Sequence, residues 1–271
     1  MKILITGASG ICGSALIPLT GDKVLFDLKK PNYDIKENKF VKGDLNDIKM
    51  LEKSMKNCNV VIHCGGASNP NSSWKSVLKN NIMATQTLLE VATKLNIPKI
   101  IFLSSNRVFE MYEIENAPMI YEPDFNLLLQ KSSIVRPASH YGISKAFCEI
   151  MGRSFSERCD IKFYVIRLGS VRCKEEDHPY AYAESGVKKG LWKRGSKQYI
   201  LQEKRLKSLW MSRRDFLKMV ELCIEYEAVK FEILFGLSDN PRSWFDMEHT
   251  KKLLRYKPKD NAERFIQVPT K

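Results

Sequence analysis

A chain of 271 residues with 44% hydrophobic content is long enough to bury one large α/β core. Its net charge of +13 comes from basic residues scattered between Lys2 and Lys271, and no helix-turn-helix, zinc-finger or RNA-binding motif accompanies them, so nucleic-acid recognition is not expected. The absence of an apolar run of about 18 residues and of a charged-then-apolar leader predicts a soluble, unexported, cytoplasmic protein with no membrane association. Seven cysteines form no CxxC pair and read as reduced thiols, and no His/Cys/Asp/Glu set has metal-ligand spacing, so neither a disulfide frame nor a metal is expected.

Lys2-Ile3-Leu4-Ile5 is an apolar, partly β-branched run that reads as a buried parallel strand, followed without a gap by Thr6-Gly7-Ala8-Ser9-Gly10-Ile11-Cys12-Gly13. In such a loop Gly7 can make the tight turn, Gly10 can let a pyrophosphate approach the backbone, and Gly13 can let the next helix pack on the sheet. The spacing is GxxGxxG, a variant of the dinucleotide fingerprint. Residues 14–19 are predicted to continue as a short helix whose N-terminus favours a diphosphate. A second strand over 23–28 carries Asp27 about 20 residues after Gly7, where an acid would accept hydrogen bonds from ribose hydroxyls. That carboxylate would repel a 2′-phosphate and favours NAD over NADP, although Lys29 and Lys30 follow at once.

Strands near 39–44, 60–65, 99–105 and 162–169 then alternate with helices near 47–56, 74–95 and 141–158. Alternation of this kind predicts an α/β fold, a Rossmann-type doubly wound parallel sheet covered by helices on both faces. Two stretches, 110–140 and 172–204, break the pattern and read as long irregular loops. Beyond them the residue pattern gives a helix over 214–227, a strand over 231–237 and a helix over 244–254.

The chemistry is carried by Ser105, at the end of the fifth strand, and by Tyr141-Gly142-Ile143-Ser144-Lys145, whose i,i+4 relation puts a phenol and an ammonium on one helix face. A tyrosine is a poor base at neutral pH, but a neighbouring lysine and a positive nicotinamide ring favour the phenolate. Such a phenolate can remove a hydroxyl proton while hydride leaves for the nicotinamide, with Ser105 holding the reacting oxygen. Ser104 competes for that role, and counting back from Val108 favours Ser105. His63 and His140 fall near the predicted crevice and are expected to be framework histidines.

The loop at Gly7, the acid at Asp27, Gly43-Asp44-Leu45, His63-Cys64-Gly65-Gly66-Ala67, Asn81 with Ala84-Thr85, Leu103-Ser104-Ser105 and Tyr141-Gly142-Ile143-Ser144-Lys145 occur in one order. In that order the chain resembles the extended short-chain dehydrogenase/reductase family, the NAD-dependent epimerases and dehydratases, over most of its length. The resemblance implies NAD as cofactor, held by Gly7, Ser9, Gly10, Ile11, Gly13 and Asp27. It further places Asp44 and Leu45 beside the adenine, Cys64, Gly65, Gly66 and Asn81 on the cofactor side, and Tyr141 and Lys145 at the nicotinamide end.

Four local runs, Ser104-Ser105-Asn106, Arg167-Leu168-Gly169-Ser170, Arg205 through Trp210 to Phe216, and Tyr256 to Glu263, are most similar to the uronate dehydrogenase branch. By that likeness Ser68, Asn106 and Ser170 would hydrogen-bond sugar hydroxyls, and Arg205 would pair with a uronate carboxylate through its planar fork. The chain departs from the branch at Arg107, where a histidine is usual, and in residues 174–204, which look like an insertion. The resemblance implies an NAD-binding domain over 1–170 and a small C-terminal substrate-binding lobe over 171–271, partly interleaved with it. The expected activity is oxidation of a sugar hydroxyl, foremost the anomeric hydroxyl of a hexuronate to an aldarolactone; the alternative is a nucleotide-sugar epimerase or dehydratase with tightly held NAD. A homodimer is compatible with the family's habits.

Overall fold

The computed structural model describes residues 1–265. Strand β1 (Lys2–Thr6) lies inside a sheet with β2 (Asp22–Asp27), β3 (Lys39–Lys42), β4 (Val60–His63), β5 (Lys99–Leu103), β6 (Lys162–Leu168) and β7 (Phe231–Gly236). The seven strands run in the order β3-β2-β1-β4-β5-β6-β7, and every neighbouring pair is parallel. Central strands of such a sheet are covered on both faces, which is why their sequences are continuous apolar runs. Ile3 and Ile5 pack on one face with Leu25, Ile62 and Tyr164, while Leu4 packs on the other with Val24, Val61 and Phe102. Strand order departs from β1 in both directions, so a crevice opens outside the carboxyl ends of β1 and β4.

Ten α-helices complete the described residues: α1 (Ile11–Ala15), α2 (Ile48–Met55), α3 (Trp74–Val77), α4 (Ala84–Lys94), α5 (Glu110–Asn116), α6 (His140–Arg158), α7 (Ala181–Lys188), α8 (Lys197–Leu209), α9 (Arg213–Glu225) and α10 (Glu248–Leu254). A π-helical segment, Leu78–Met83, joins α3 to α4 without a break, so the single helix predicted over 74–95 is one rod with a widened turn inside it. Ser139 caps α6 by accepting a hydrogen bond from Gly142 N at 3.2 Å. Among the described residues no helix is long and apolar enough to cross a membrane.

Four sequence expectations are corrected. The helix after the glycine loop starts at Ile11, not Ser14, and ends at Ala15; Pro18, with no N–H to donate, stands where it would have continued. The stretch 110–140 holds α5 and a 3₁₀ turn at Met119–Tyr121. The stretch 172–204 holds α7 and most of α8. The helix expected over 244–254 begins only at Glu248, because Leu129 bonds to both sides of Phe245, its N–H to Trp244 O at 2.7 Å and its carbonyl to Asp246 N at 2.9 Å.

The two stretches read as irregular pack on each other. Arg205 and Lys204 of α8 form ion pairs with Glu113 of α5 and Glu122 beyond it. Their polar faces therefore meet each other instead of the sheet. β7 is the last strand of the sheet, so after α7 and α8 the chain returns to the sheet.

Candidate active site

The glycine loop folds back on the turn after β4. Gly7 has a φ of +64°, and a Cβ there would lie 2.6 Å from Gly65 N. A Cβ on Gly13 would fall 2.4 Å from Gly7 O, so α1 can sit this close to the loop only if residue 13 is bare. Because α1 is five residues long, its dipole is small, and the exposed backbone of the loop itself has to meet a diphosphate. Ser9 ties the loop to the end of β2: its N–H donates to Asp27 Oδ2 at 3.0 Å and its hydroxyl to Lys29 O at 2.5 Å. Lys29 N donates to Asp27 Oδ1 at 3.1 Å. Asp27 is thereby fixed with its carboxylate on the cleft.

Asp44 and Leu45 form the next part of the wall. Asp44 Oδ1 accepts from Asn46 N at 3.0 Å and Asn46 Nδ2 at 2.9 Å, bonds that outweigh burial and, with the Lys79 ammonium 3.6 Å away, hold its carboxyl below the usual carboxylate range. Leu45 lies so close to Gly65 that a Cβ there would meet its Cδ1 at 2.8 Å. Bare backbone at Gly7, Gly10, Gly65 and Gly66 and an acid at the tip of β2 fit the pyrophosphate and ribose diol of a dinucleotide.

Ser105 follows β5, and Tyr141 and Lys145 enter the same cleft from α6. Their approach is set by Gly142, where a Cβ would come within 2.5 Å of Arg107 O, so α6 starts directly against the backbone that carries Ser105. Lys145 Nζ donates to Leu103 O at 2.7 Å and stands 5.8 Å from the Tyr141 ring centroid. Ser104 is turned away: its hydroxyl donates to Glu149 Oε1 at 2.5 Å, and Glu149 is locked in a buried pair with Arg167. Ser105 accepts Arg107 N at 3.2 Å.

Two further residues hold this geometry from behind. His63 is buried between Thr6 Oγ1, 2.7 Å from Nδ1, and Thr85 Oγ1, 3.1 Å from Nε2. Burial, aided by the Lys145 charge, pushes its pKa down to about 3, so it is a neutral framework histidine. Asn81, in the π-helical segment, accepts Ala67 N at 2.7 Å and donates to Ala67 O at 3.1 Å and Ser144 Oγ at 2.8 Å. It thus fastens the turn after β4 to α6, one residue from Lys145, and does not itself line the cleft.

The cleft, of about 590 Å³, is also lined by Ser68, Asn106, Ser170 and Arg205 together with Arg107, Arg172 and Tyr182. Arg205 is held side-on by Glu113, with Nε 2.6 Å from Oε1 and Nη2 3.2 Å from Oε2, and Tyr121 donates to the same carboxylate at 2.8 Å. Burial works against both charges of this pair, but their mutual attraction and hydrogen bonds outweigh it. The Glu113 carboxyl is held below the usual range and the Arg205 guanidinium above its own. Ser170 Oγ and Tyr182 OH are 2.6 Å apart, and the Arg107 and Arg172 guanidinium groups pair with Glu110 and Glu176.

The sequence profile of the NAD dependent epimerase/dehydratase family matches residues 3–217. The chain belongs to this family. Within it the chain is similar to the NAD-dependent glucose-6-phosphate dehydrogenase of Haloferax volcanii, 30% identical over 97% of this chain and 95% of the relative. It is also similar to the L-arabinose 1-dehydrogenase (NAD(P)(+)) of the same organism, 24% identical over 98% of this chain and 99% of the relative. A solved structure of a mutated uronate dehydrogenase superposes with a TM-score of 0.76 at 25% identity, covering 97% of this chain and 82% of its own.

For a member of the NAD dependent epimerase/dehydratase family, one cleft brings together most of the residues singled out from sequence. Gly7, Gly10, Ile11, Asp27, Asp44, Leu45, Cys64, Gly65, Gly66, Ser105, Tyr141, Lys145, Ser68, Asn106, Ser170 and Arg205 all line it. Ser9, Gly13 and Asn81 support that wall from outside. Sequence reasoning missed Glu113, Arg172 and Tyr182. Glu113 lies 92 positions from Arg205 with no motif to join them, and the other two sit in or beside the stretch read as a loop.

Proposed function

We propose that the protein is an NAD-dependent dehydrogenase that oxidises the anomeric hydroxyl of an anionic aldose, a hexuronate or a phosphorylated hexose, to its lactone. The observation that carries this reading is a single cleft lined at once by the glycine loop, by Ser105, Tyr141 and Lys145, and by Arg172 and Arg205. Names among its relatives, a glucose-6-phosphate dehydrogenase and an arabinose 1-dehydrogenase, support an aldose as substrate and carbon 1 as the site of attack.

Tyr141 takes the proton of the anomeric hydroxyl as phenolate. Lys145, 5.8 Å from its ring centroid, puts a positive charge beside the ring that carries the negative one, and the Leu103 carbonyl keeps that ammonium in place. Ser105 hydrogen-bonds the same oxygen and aims it at Tyr141. Held along the glycine loop and Asp27, NAD would supply the hydride acceptor for the hydrogen on C1, with the hydroxyl proton passing to Tyr141 and the C1–O bond becoming the lactone carbonyl. Ser68, Asn106 and Ser170, which line the same cleft, hold ring hydroxyls in this reading, and Arg205 the acidic end. Because Glu113 already occupies the Nε and Nη2 edge of Arg205, an incoming anion meets the remaining Nη1 end.

The test is direct. Purified protein mixed with NAD and a panel of glucuronate, galacturonate, glucose 6-phosphate, glucose and L-arabinose should form reduced cofactor with at least one acidic sugar, and a lactone by product analysis. No reduced cofactor with any of them, together with interconversion of a nucleotide sugar, would replace this reading by the epimerase one.

A further inference from the structure

Beside the cleft lies a second cavity, of about 290 Å³, walled off by Arg172, Tyr182 and Arg205, which line both spaces. Ser185, Lys189 and Gln202 add polar groups on its other side. Both guanidinium groups rest against the Tyr182 ring, Arg172 Cζ at 5.1 Å and Arg205 Cζ at 5.4 Å from its centroid. Neither arginine is used up by its acid. Arg172 gives only Nη2 to Glu176, and its Nε is buried without a partner. Arg205 has given Nε and Nη2 to Glu113 and keeps Nη1. Lys189 forms no ion pair among the described residues.

We propose that this wall, with Arg172 as its second arm, is a phosphoryl seat: it takes the terminal phosphoryl group of a sugar phosphate whose carbon 1 lies at Tyr141. The seat rests on the anomeric oxidation proposed above for its orientation of the sugar. Shape decides between a phosphoryl group and a carboxylate. A planar carboxylate is best met by one intact guanidinium fork, and the side-on fork of Arg205 already belongs to Glu113. What remain are the Nη1 end of Arg205 and the Nε and Nη1 of Arg172, so the free N–H groups are spread over two side chains. A tetrahedral phosphoryl group, with three terminal oxygens in different directions, can take one from each. Its charge near −2 also draws on Lys189, which lines the same cavity and forms no ion pair among the described residues, beside two guanidinium groups that are each matched by one carboxylate.

Calorimetric titration of the NAD-saturated protein with glucose 6-phosphate, glucose and glucuronate separates the possibilities, each repeated on Arg172→Gln, Arg172→Lys and Lys189→Gln. Arg172→Gln should weaken glucose 6-phosphate binding at least about 10-fold, the loss of one charged hydrogen bond, while glucose changes little. Arg172→Lys should lose less, and Lys189→Gln, on an exposed side chain that cannot disturb folding, should lose a few-fold for the phosphate alone. Equal losses for glucuronate and glucose 6-phosphate would overturn the phosphoryl assignment. So would wild-type protein that reduces NAD with glucuronate or arabinose but does not bind glucose 6-phosphate, and in that case the dehydrogenase reading stands. Conversely, Arg172-dependent binding of glucose 6-phosphate without turnover of any sugar would support the seat and remove the anomeric oxidation.

Discussion

Tyr141 reaches the cleft from α6 and Ser105 from the end of β5, and the close approach at Gly142 sets the start of α6 against the backbone that follows Ser105. Replacing Tyr141 by Phe removes the hydroxyl proposed above as proton acceptor and leaves the ring in place. Turnover should fall by about 10²–10⁴-fold, with NAD affinity by titration nearly unchanged; an active Tyr141→Phe enzyme would mean that another group takes the proton. At this scale the sequence was informative where chemistry is tied to spacing, as in Tyr141 with Lys145. Ser104 and Ser105 look alike in sequence, and the difference between them depends on Glu149, 45 positions from Ser104, which is itself held by Arg167. The acid on Arg205 was hidden for the same reason: a charge pair across α5 and α8 has no local signature.

Elements that pack on the sheet were legible because their apolar period reports the face they bury, and all seven strands fall where hydrophobic runs placed them. Helices α7 and α8 were not, because they pack largely against each other and against charged partners in α5 and beyond it, so no strong apolar stripe marks them. A local signal did exist in Ser196, which follows Gly195 and caps α8 by accepting Tyr199 N at 3.3 Å. The end of β2 carries the prediction for this scale. Asp27→Asn removes the carboxylate that receives Ser9 N and Lys29 N and stands where a ribose diol would lie. The KM for NAD should rise about 10-fold or more, and the preference for NAD over NADP should shrink, in initial-rate measurements with both cofactors. An unchanged ratio would remove Asp27 from cofactor choice.

Stability of the whole molecule is linked to the neutral state of His63. In the unfolded chain a histidine takes a proton near pH 6.5, whereas in the fold burial pushes that event down to about 3. Between those values the unfolded state binds the extra proton, so stability present above pH 6.5 declines as pH falls, by up to about 1.4 kcal/mol per unit. Denaturant titrations at pH 7 and 5 should show this loss, and His63→Gln should flatten it; equal pH slopes would contradict the assignment. The outer side of α6 leaves Ile143, Phe147 and Ile150 exposed, with spacing that forms one stripe along the helix. If a second copy of this chain covers that stripe, sedimentation should report a dimer for the native protein and a monomer for Ile150→Glu. A native monomer at micromolar concentration would sink the idea. The lobe made by α5 with α7 and α8 has a different consequence. The groups proposed to handle the proton belong to the sheet and α6, while Arg172, Tyr182 and Arg205 belong to the lobe and the link leading to it. On the proposed reading, a lineage can change which sugar it consumes by altering the lobe alone, and retain its redox chemistry through every intermediate sequence.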